Sequence, residues 1–301
     1  MQLVAYRFFY LFIWIFSRVP WPVFYFLSDC IYVLVYYLIG YRKKTVTQNL
    51  RLVFPDKSNK EIKRIRKASY KHMCDMFLEM TRTLSITKEE MSRRFHITNP
   101  EIFKDLEIKN KSIIAMMGHY NSYEWTNSIE MLTKFKCVGI YKPVKNKYIN
   151  DLAKRIRARF GSRLIASPKA IREITRDQFK EGELNLYGLI SDQSPKIQNA
   201  TFWIDFMGIK VPAFVGGEIL SRKLGLSTYY MHVEKVKRGF YEGTLIPLSE
   251  DPKNEEEPFI ITKKFTKMLE AQIKNKPENY LWTHKRWKHR NETIPEDATV
   301  V

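Results

Sequence analysis

Two side chains five positions apart, His119 and Glu124, are the residues of this sequence best suited to acid–base chemistry. A carboxylate bonded to one imidazole nitrogen fixes the tautomer and stabilises the imidazolium, leaving the other nitrogen free to take a proton from an incoming hydroxyl. Their setting favours such a role. Ser112 to Met117 is an apolar run of strand length, Gly118 breaks it, and a helix is predicted to open near Asn121 or Ser122. In open α/β sheets ligands collect outside the carboxyl ends of strands, so His119 is expected to face a crevice. Glu124 would lie in the first helical turn and could swing back to the ring. A second reading stands beside this one, because Asn121-x-x-Glu124 is also the pattern of a capping box, in which the carboxylate only accepts a backbone N–H. Spacing alone does not decide, since His96 and Glu101 share it. No apolar run precedes His96 and Pro100 interrupts that segment, so the second pair is read as a decoy.

The elements that position these residues come from a chain of 301 residues, 45% hydrophobic, enough for a sizeable core in one large domain or two small ones. A net charge of +19 calls for an anionic partner: nucleic acid, an anionic membrane surface or an acidic protein. Cys30, Cys74 and Cys137 are odd in number and form no CxxC pair, so they read as small buried hydrophobes rather than a disulfide framework or zinc site. His284 and His289 lie five apart, which does not put two imidazoles on one helical face. Neither a metal nor a cofactor is expected.

Residues 1–44 read as an N-terminal membrane anchor with a basic flank. Leu3 to Phe16 and Val23 to Ile39 are apolar runs separated by Arg18-Val-Pro-Trp-Pro22 and followed by Arg42-Lys43-Lys44. Each run falls a little short of the roughly 20 residues that cross a bilayer. The first lacks a preceding basic region and a small-residue cleavage site, which argues against a signal peptide. Its aromatic residues suit the membrane interface. The expectation is a retained anchor, one tilted span or a pair of helices partly embedded, with the basic cluster on the cytoplasmic side. The alternative is a greasy helical hairpin packed on the globular domain.

Beyond it, Ser58-Asn-Lys-Glu61 is a capping box for an amphipathic, basic helix running to about Leu84. Strands are predicted at 137–141, 163–166 and 184–190, with a hairpin across 201–211 and an antiparallel pair at 226–236 and 240–248. Helices are predicted at 146–160, 167–180, 213–224 and 255–276. The alternation argues for an α/β fold, a mixed central sheet flanked by helices, forming a catalytic domain over 45–290 with a polar, frayed tail over 291–301.

Several blocks follow one another in a specific order and spacing. They are Arg42-Lys-Lys-Thr-Val-Thr-Gln-Asn-Leu-Arg-Leu-Val-Phe-Pro55, Gly118-His119-x4-Glu124, Arg157-Ala-Arg-Phe-Gly161 with Arg163, Asp192-Gln193, Phe206-Met-Gly208, and Pro277-Glu-Asn-Tyr-Leu-Trp-Thr-His-Lys-Arg-Trp-Lys288. With them the chain resembles the bacterial lipid A late acyltransferase family, within the glycerolipid acyltransferase superfamily. The resemblance implies a glycerolipid acyltransferase-like fold and an enzyme anchored in the cell inner membrane, its catalytic domain on the cytoplasmic side. It further implies transfer of a fatty acyl group from acyl carrier protein to a hydroxyl of a lipid A precursor, with His119 as general base and Glu124 as its orienting partner. The superfamily's Phe-Pro-Glu-Gly-Thr-Arg phosphate block is absent, and Asp192-Gln193 occupies the corresponding strand end, which tells against a simple glycerol-phosphate acyltransferase. Pro212-Ala-Phe-Val-Gly216 and Ser194-Pro195 depart from the family's usual residues near the expected acyl and acceptor groove.

Thioester-to-alcohol transfer needs a base, donors for the tetrahedral oxyanion, and exclusion of water. No Ser or Cys sits in an elbow motif, so direct attack in a ternary complex is expected rather than a covalent acyl-enzyme. The oxyanion donor could be a backbone N–H, Arg159 or Arg163, the two arginines reading equally as salt bridges or phosphate contacts. Asp192 could hold a structural hydrogen bond or an arginine, or act in catalysis, with Gln193 beside it in a supporting or substrate-binding place. Lys142, Lys145, Lys147, Lys154, Arg155 and Arg157 form the densest basic patch near the site, suited to acidic acyl carrier protein, anionic membrane lipid or a phosphate-bearing acceptor. Trp282 to Trp287 could stack and bind phosphate, or simply pack the C-terminal segment. The competing functions are the same chemistry on another membrane lipid, such as an aminolipid or glycolipid, and a membrane-bound anionic-lipid-binding module. Nucleic-acid binding finds no recognition motif.

Overall fold

All five residues of Ile113–Met117 are buried, as expected of a strand covered on both faces. The computed structural model describes residues 2–180 and 182–301. In chain order the first elements are helices α1 (Gln2–Phe16), α2 (Trp21–Val33), α3 (Lys43–Val53), α4 (Asn59–Arg82) and α5 (Lys88–Arg94), strand β1 (Phe95–Ile97), and α6 (Glu101–Ile108). Then come β2 (Ile113–Met117), a 3-10 helix (Tyr123–Met131), β3 (Lys136–Tyr141), α7 (Lys147–Arg157), β4 (Arg163–Ala166), α8 (Ala170–Asp177) and β5 (Asn185–Ile190). The remainder is β6 (Phe202–Phe206), β7 (Ile209–Pro212), α9 (Gly216–Leu224), β8 (Ser227–Lys237), β9 (Phe240–Ser249), α10 (Ile260–Asn275) and β10 (Thr299–Val300).

The main sheet has seven strands in the order β1-β9-β8-β2-β5-β3-β4. β8, β2, β5, β3 and β4 run parallel and deliver their carboxyl ends to one edge, while β9 runs antiparallel to β8. This is the mixed α/β sheet expected. Side chains on β2 alternate between two cores. Ile113, Ala115 and Met117 pack with Phe103, Trp125, Ile129 and Met231. Ile114 and Met116 pack with Leu220, Tyr230, Phe265 and Leu269.

The capping box of α4 forms as predicted: Ser58 N–H donates to Glu61 Oε2 at 2.9 Å and Glu61 N–H to Ser58 Oγ at 3.3 Å. Two expectations are corrected. The last helix starts at Ile260 rather than near Glu255, after a turn in which Phe259 takes a positive φ. The tail is not frayed at its end, because Thr299–Val300 pairs with Phe202–Trp203 in a three-stranded sheet, β10-β6-β7, and Lys210 Nζ donates to the Val301 carbonyl at 2.6 Å. The decoy histidine, His96, lies on β1 with its Nε2 3.3 Å from Glu242, its cross-strand neighbour, rather than bonded to Glu101.

α2 continues into a π-helical turn, Leu34–Ile39, and the apolar helix Trp21–Ile39 is long and apolar enough to cross a membrane by length and composition. One of its faces is tied to the domain. Tyr25 donates to Glu79 at 2.9 Å, Ser28 to Asp75 at 2.6 Å, and Arg238 bridges Asp29 and Asp75. Its other face, with α1, leaves Phe8, Phe12, Trp14, Phe26, Tyr37 and Leu38 exposed.

Candidate active site

Met117 and Ile190, the last residues of β2 and β5, are register partners, so the loops after them emerge side by side. Ser191 N–H donates to the Met117 carbonyl at 3.0 Å and locks the two exits together. Gly118 begins the first loop where a Cβ would stand 2.6 Å from Leu269 Cδ1 of α10, so only glycine fits without displacement. The next residue meets the second loop twice. His119 N–H donates to Asp192 Oδ2 at 3.1 Å, and His119 Nδ1 lies 2.6 Å from Asp192 Oδ1. A carboxylate only accepts, so Nδ1 carries the hydrogen and Nε2 of the neutral ring holds the lone pair. Gln193 Nε2 sits 3.3 Å from that nitrogen, and the Tyr123 ring stands edge-on to the imidazole at 5.0 Å between centroids.

The C-terminal block, 277–288, backs this loop. Tyr120 and Tyr280 form an antiparallel bridge, Asn121 N–H donates to the Asn279 carbonyl, and Leu281 N–H donates to the His119 carbonyl, both at 3.0 Å. Asn121 takes φ +51 and spends its side chain on the Val233 carbonyl at 2.7 Å. Trp282 and Trp287 are buried and stacked at 5.8 Å, and Asn49 of α3 donates to the carbonyls of Trp282 and His284. Of the two readings of this block, packing is the one its tryptophans follow.

Glu124 occupies the helical turn expected of it but does not reach the imidazole. It lies in the first turn of the 3-10 helix, and Arg157 of α7 grips both its oxygens, with Nε–Oε2 at 2.8 Å. The expected His119–Glu124 hydrogen bond is therefore replaced by His119–Asp192. Asn121, in the left-handed region, does not cap either, and no side-chain cap precedes the helix, so the capping-box reading fails as well. Arg163 pairs with Val138 on the sheet, well short of the strand ends, and is held by buried Asp177. Arg159 is exposed and stacks over Phe160 at 5.6 Å. Neither arginine joins His119. Within the basic patch, Arg157 is committed to Glu124 and Lys154 to Asp151 at 3.0 Å, while Lys142, Lys145 and Lys147 lie exposed beyond the carboxyl end of β3.

Burial works against charge on His119, but the field and hydrogen bond of Asp192, with Glu124 behind, outweigh it and hold the imidazole above its usual pKa. Burial alone would raise the Asp192 carboxyl, yet His119 and the Tyr280 hydroxyl keep it below the usual range. Nearby His284 is pushed down to about 4, chiefly by burial, and stays neutral. Arg286, also buried, anchors the far side of the second loop, donating to the Pro212 carbonyl at 3.0 Å and lying 3.3 Å from Ser194 Oγ. Sequence reasoning did not assign Tyr280, His284 or Arg286 to the site, although the block that carries them was visible. Arg157 stands in the basic patch and in the Arg157–Gly161 block, neither of which points to Glu124 as its partner.

An imidazole held by a buried carboxylate at adjoining strand ends is arranged for proton transfer in an α/β enzyme. The chain belongs to the bacterial lipid A biosynthesis acyltransferase family, whose sequence model matches residues 2–289, nearly its whole length. It is an acyltransferase. A lipid A biosynthesis palmitoleoyltransferase of Escherichia coli K12 is 22% identical over 282 residues, covering 92% of this chain and 89% of that protein. A lipid A biosynthesis lauroyltransferase of the same strain is 21% identical over 286 residues, covering 94% and 91%. A lipid A biosynthesis acyltransferase of Shigella flexneri is 22% identical over 282 residues, covering 92% and 89%. An acyltransferase family spanning the chain sets aside the non-enzymatic lipid-binding module.

Proposed function

We propose that the enzyme transfers a fatty acyl group from acyl carrier protein to a hydroxyl of a lipid A precursor, at the cytoplasmic face of the inner membrane, with His119 as general base. The observation that carries the proposal is the 2.6 Å contact between His119 Nδ1 and Asp192, which leaves Nε2 as the proton acceptor. The names of the relatives point to the acceptor class. In this mechanism Nε2 takes the proton of the acceptor hydroxyl as its oxygen attacks the thioester carbonyl. Asp192 holds the tautomer and stabilises the imidazolium, which then protonates the departing thiolate. The orienting role first given to Glu124 passes to Asp192, and Glu124 contributes through its charge and its clamp on Arg157.

The basic residues beyond β3 and the exposed apolar side chains of α1 and α2 support docking of an acidic carrier at a membrane surface. Tyr6 of α1 stacks on Tyr148 of α7 at 5.0 Å, which puts the apolar helix α1 beside that basic segment. The test is acyl transfer from acyl carrier protein to a panel of lipid A precursors, aminolipids and glycolipids, with His119→Ala and His96→Ala alongside wild type. Product on a lipid A precursor that vanishes with His119→Ala and survives His96→Ala is the expected result. A folded, membrane-bound wild type that acylates only another lipid would overturn the acceptor.

A further inference from the structure

We infer that Gln193 is a catalytic residue whose side-chain amide, displaced from His119 by the acceptor hydroxyl, donates a hydrogen bond to the tetrahedral oxyanion. The inference rests on His119 acting as the base. With Asp192 fixing the hydrogen on Nδ1, the nitrogen that must accept the substrate proton is Nε2, and the Gln193 amide occupies its lone pair at 3.3 Å. A hydroxyl cannot reach Nε2 while the amide is there. Among the described residues the imidazole is the sole hydrogen-bond partner of that amide, so leaving it breaks no other bond.

The side chain can move while its backbone cannot. Ser191 is bonded to Met117 on one side, Asp192 is buried under His119, and Ser194 Oγ donates to the Arg286 carbonyl on the other side at 2.5 Å. Gln193 itself is only half-buried. When the hydroxyl takes the lone pair, the displaced NH2 group remains within about one hydrogen-bond length of the attacking oxygen. The carbonyl oxygen that becomes negative is bonded to the carbon under attack, which brings it within reach of the same amide. Neither of the two candidate arginines contacts His119: Arg163 is paired with Asp177, and Arg159 is exposed over the Phe160 ring.

The step balances with the groups named. The acceptor O–H proton moves to Nε2, the C–O bond forms, and the carbonyl π pair becomes the oxyanion to which Gln193 donates. Collapse restores the carbonyl and breaks the C–S bond, and the thiolate leaves with the proton from the imidazolium. Removing one oxyanion donor costs about 10²–10³ in kcat.

The experiment is steady-state acyl transfer by the full-length, membrane-reconstituted enzyme, measured across pH for wild type, Gln193→Met, Gln193→Glu and His119→Ala. Gln193→Met keeps the length and removes the donor. It is expected to lower kcat about 10²–10³-fold, with little change in KM for either substrate and an unmoved acidic limb. Gln193→Glu, nearly isosteric, is expected to lose kcat similarly and to move the acidic limb to higher pH, since a carboxylate beside Nε2 favours the imidazolium. If Gln193→Met keeps kcat within threefold in an enzyme that His119→Ala inactivates, the Gln193 role is overturned while the base assignment stands. A loss that falls on KM instead of kcat overturns it too. Wild-type kcat in His119→Ala would sink the base and this inference together.

Discussion

Arg157 Nε lies 2.8 Å from Glu124 Oε2, and its Nη2 bonds the other oxygen, so the carboxylate five residues after His119 is clamped from α7 rather than by the imidazole. The charges still reach His119, Glu124 favouring its protonation and Arg157 opposing it.

Glu124→Gln should therefore move the acidic limb of the kcat/KM profile to lower pH, and Arg157→Met should move it higher. The double variant should return it near the wild-type position. Arg157→Met also strands a carboxylate that is 7% exposed, which should destabilise the fold by about 3 kcal/mol in denaturant unfolding. Limbs moving in the same direction would show that the pair acts by shape and not by charge.

Asp192→Asn tests the partner that the fold supplies. His119 must be neutral to accept a proton, and its pKa is held up largely by Asp192, so activity should rise with pH through that raised value. Asparagine removes the charge, lowers the imidazole pKa and moves the limb to lower pH. It also permits the wrong tautomer, so kcat should fall on the order of 10³–10⁴-fold. A loss under tenfold would mean that Asp192 is a packing residue.

At Gly118 the neighbour is a flexible but buried leucine. Gly118→Ala should cost about 1–3 kcal/mol by overpacking and depress activity by shifting the His119 loop against α10. Leu269→Ala in the same chain should recover part of the activity, because it vacates the space the new methyl needs. Failure of the pair to recover any would place the strain in the backbone and not in the contact.

On the proposed membrane location, the exposed apolar side chains of α1 and α2 should govern membrane residence. Phe12→Ser with Phe26→Ser removes two of its large exposed side chains and should reduce co-sedimentation with anionic vesicles, leaving the unfolding midpoint nearly unchanged. Raising salt should weaken the remaining binding through the basic flank. Unaltered sedimentation would assign retention to some other surface.

The strand, the glycine and the histidine of the base loop are contiguous, so that part of the site could be read directly from the sequence. So could α4, because both partners of its cap lie within four residues. Asp192 was visible as a polar residue at a strand end, but pairing it with His119 requires knowing that β5 lies next to β2, although β3 and β4 intervene in sequence. Glu124 lies in the helical turn the sequence indicates, but its partner is 33 residues away on a helix with several similar cations. Arg163 looked equivalent to Arg159 until the sheet register put it short of the strand ends. The three-residue β1 is too short to show alternation, and β10 exists only because β6 offers it an edge.

The bridge between Tyr120 and Tyr280, with the Leu281-to-His119 bond, has a bearing on how the protein is made. Synthesis runs from the N-terminus, so the His119 loop is made well before the segment that holds it. The setting of that loop is thus a late event of synthesis. A ribosome-bound or prematurely terminated chain that lacks the C-terminal block carries its histidine without the backbone bonds that hold the loop in place.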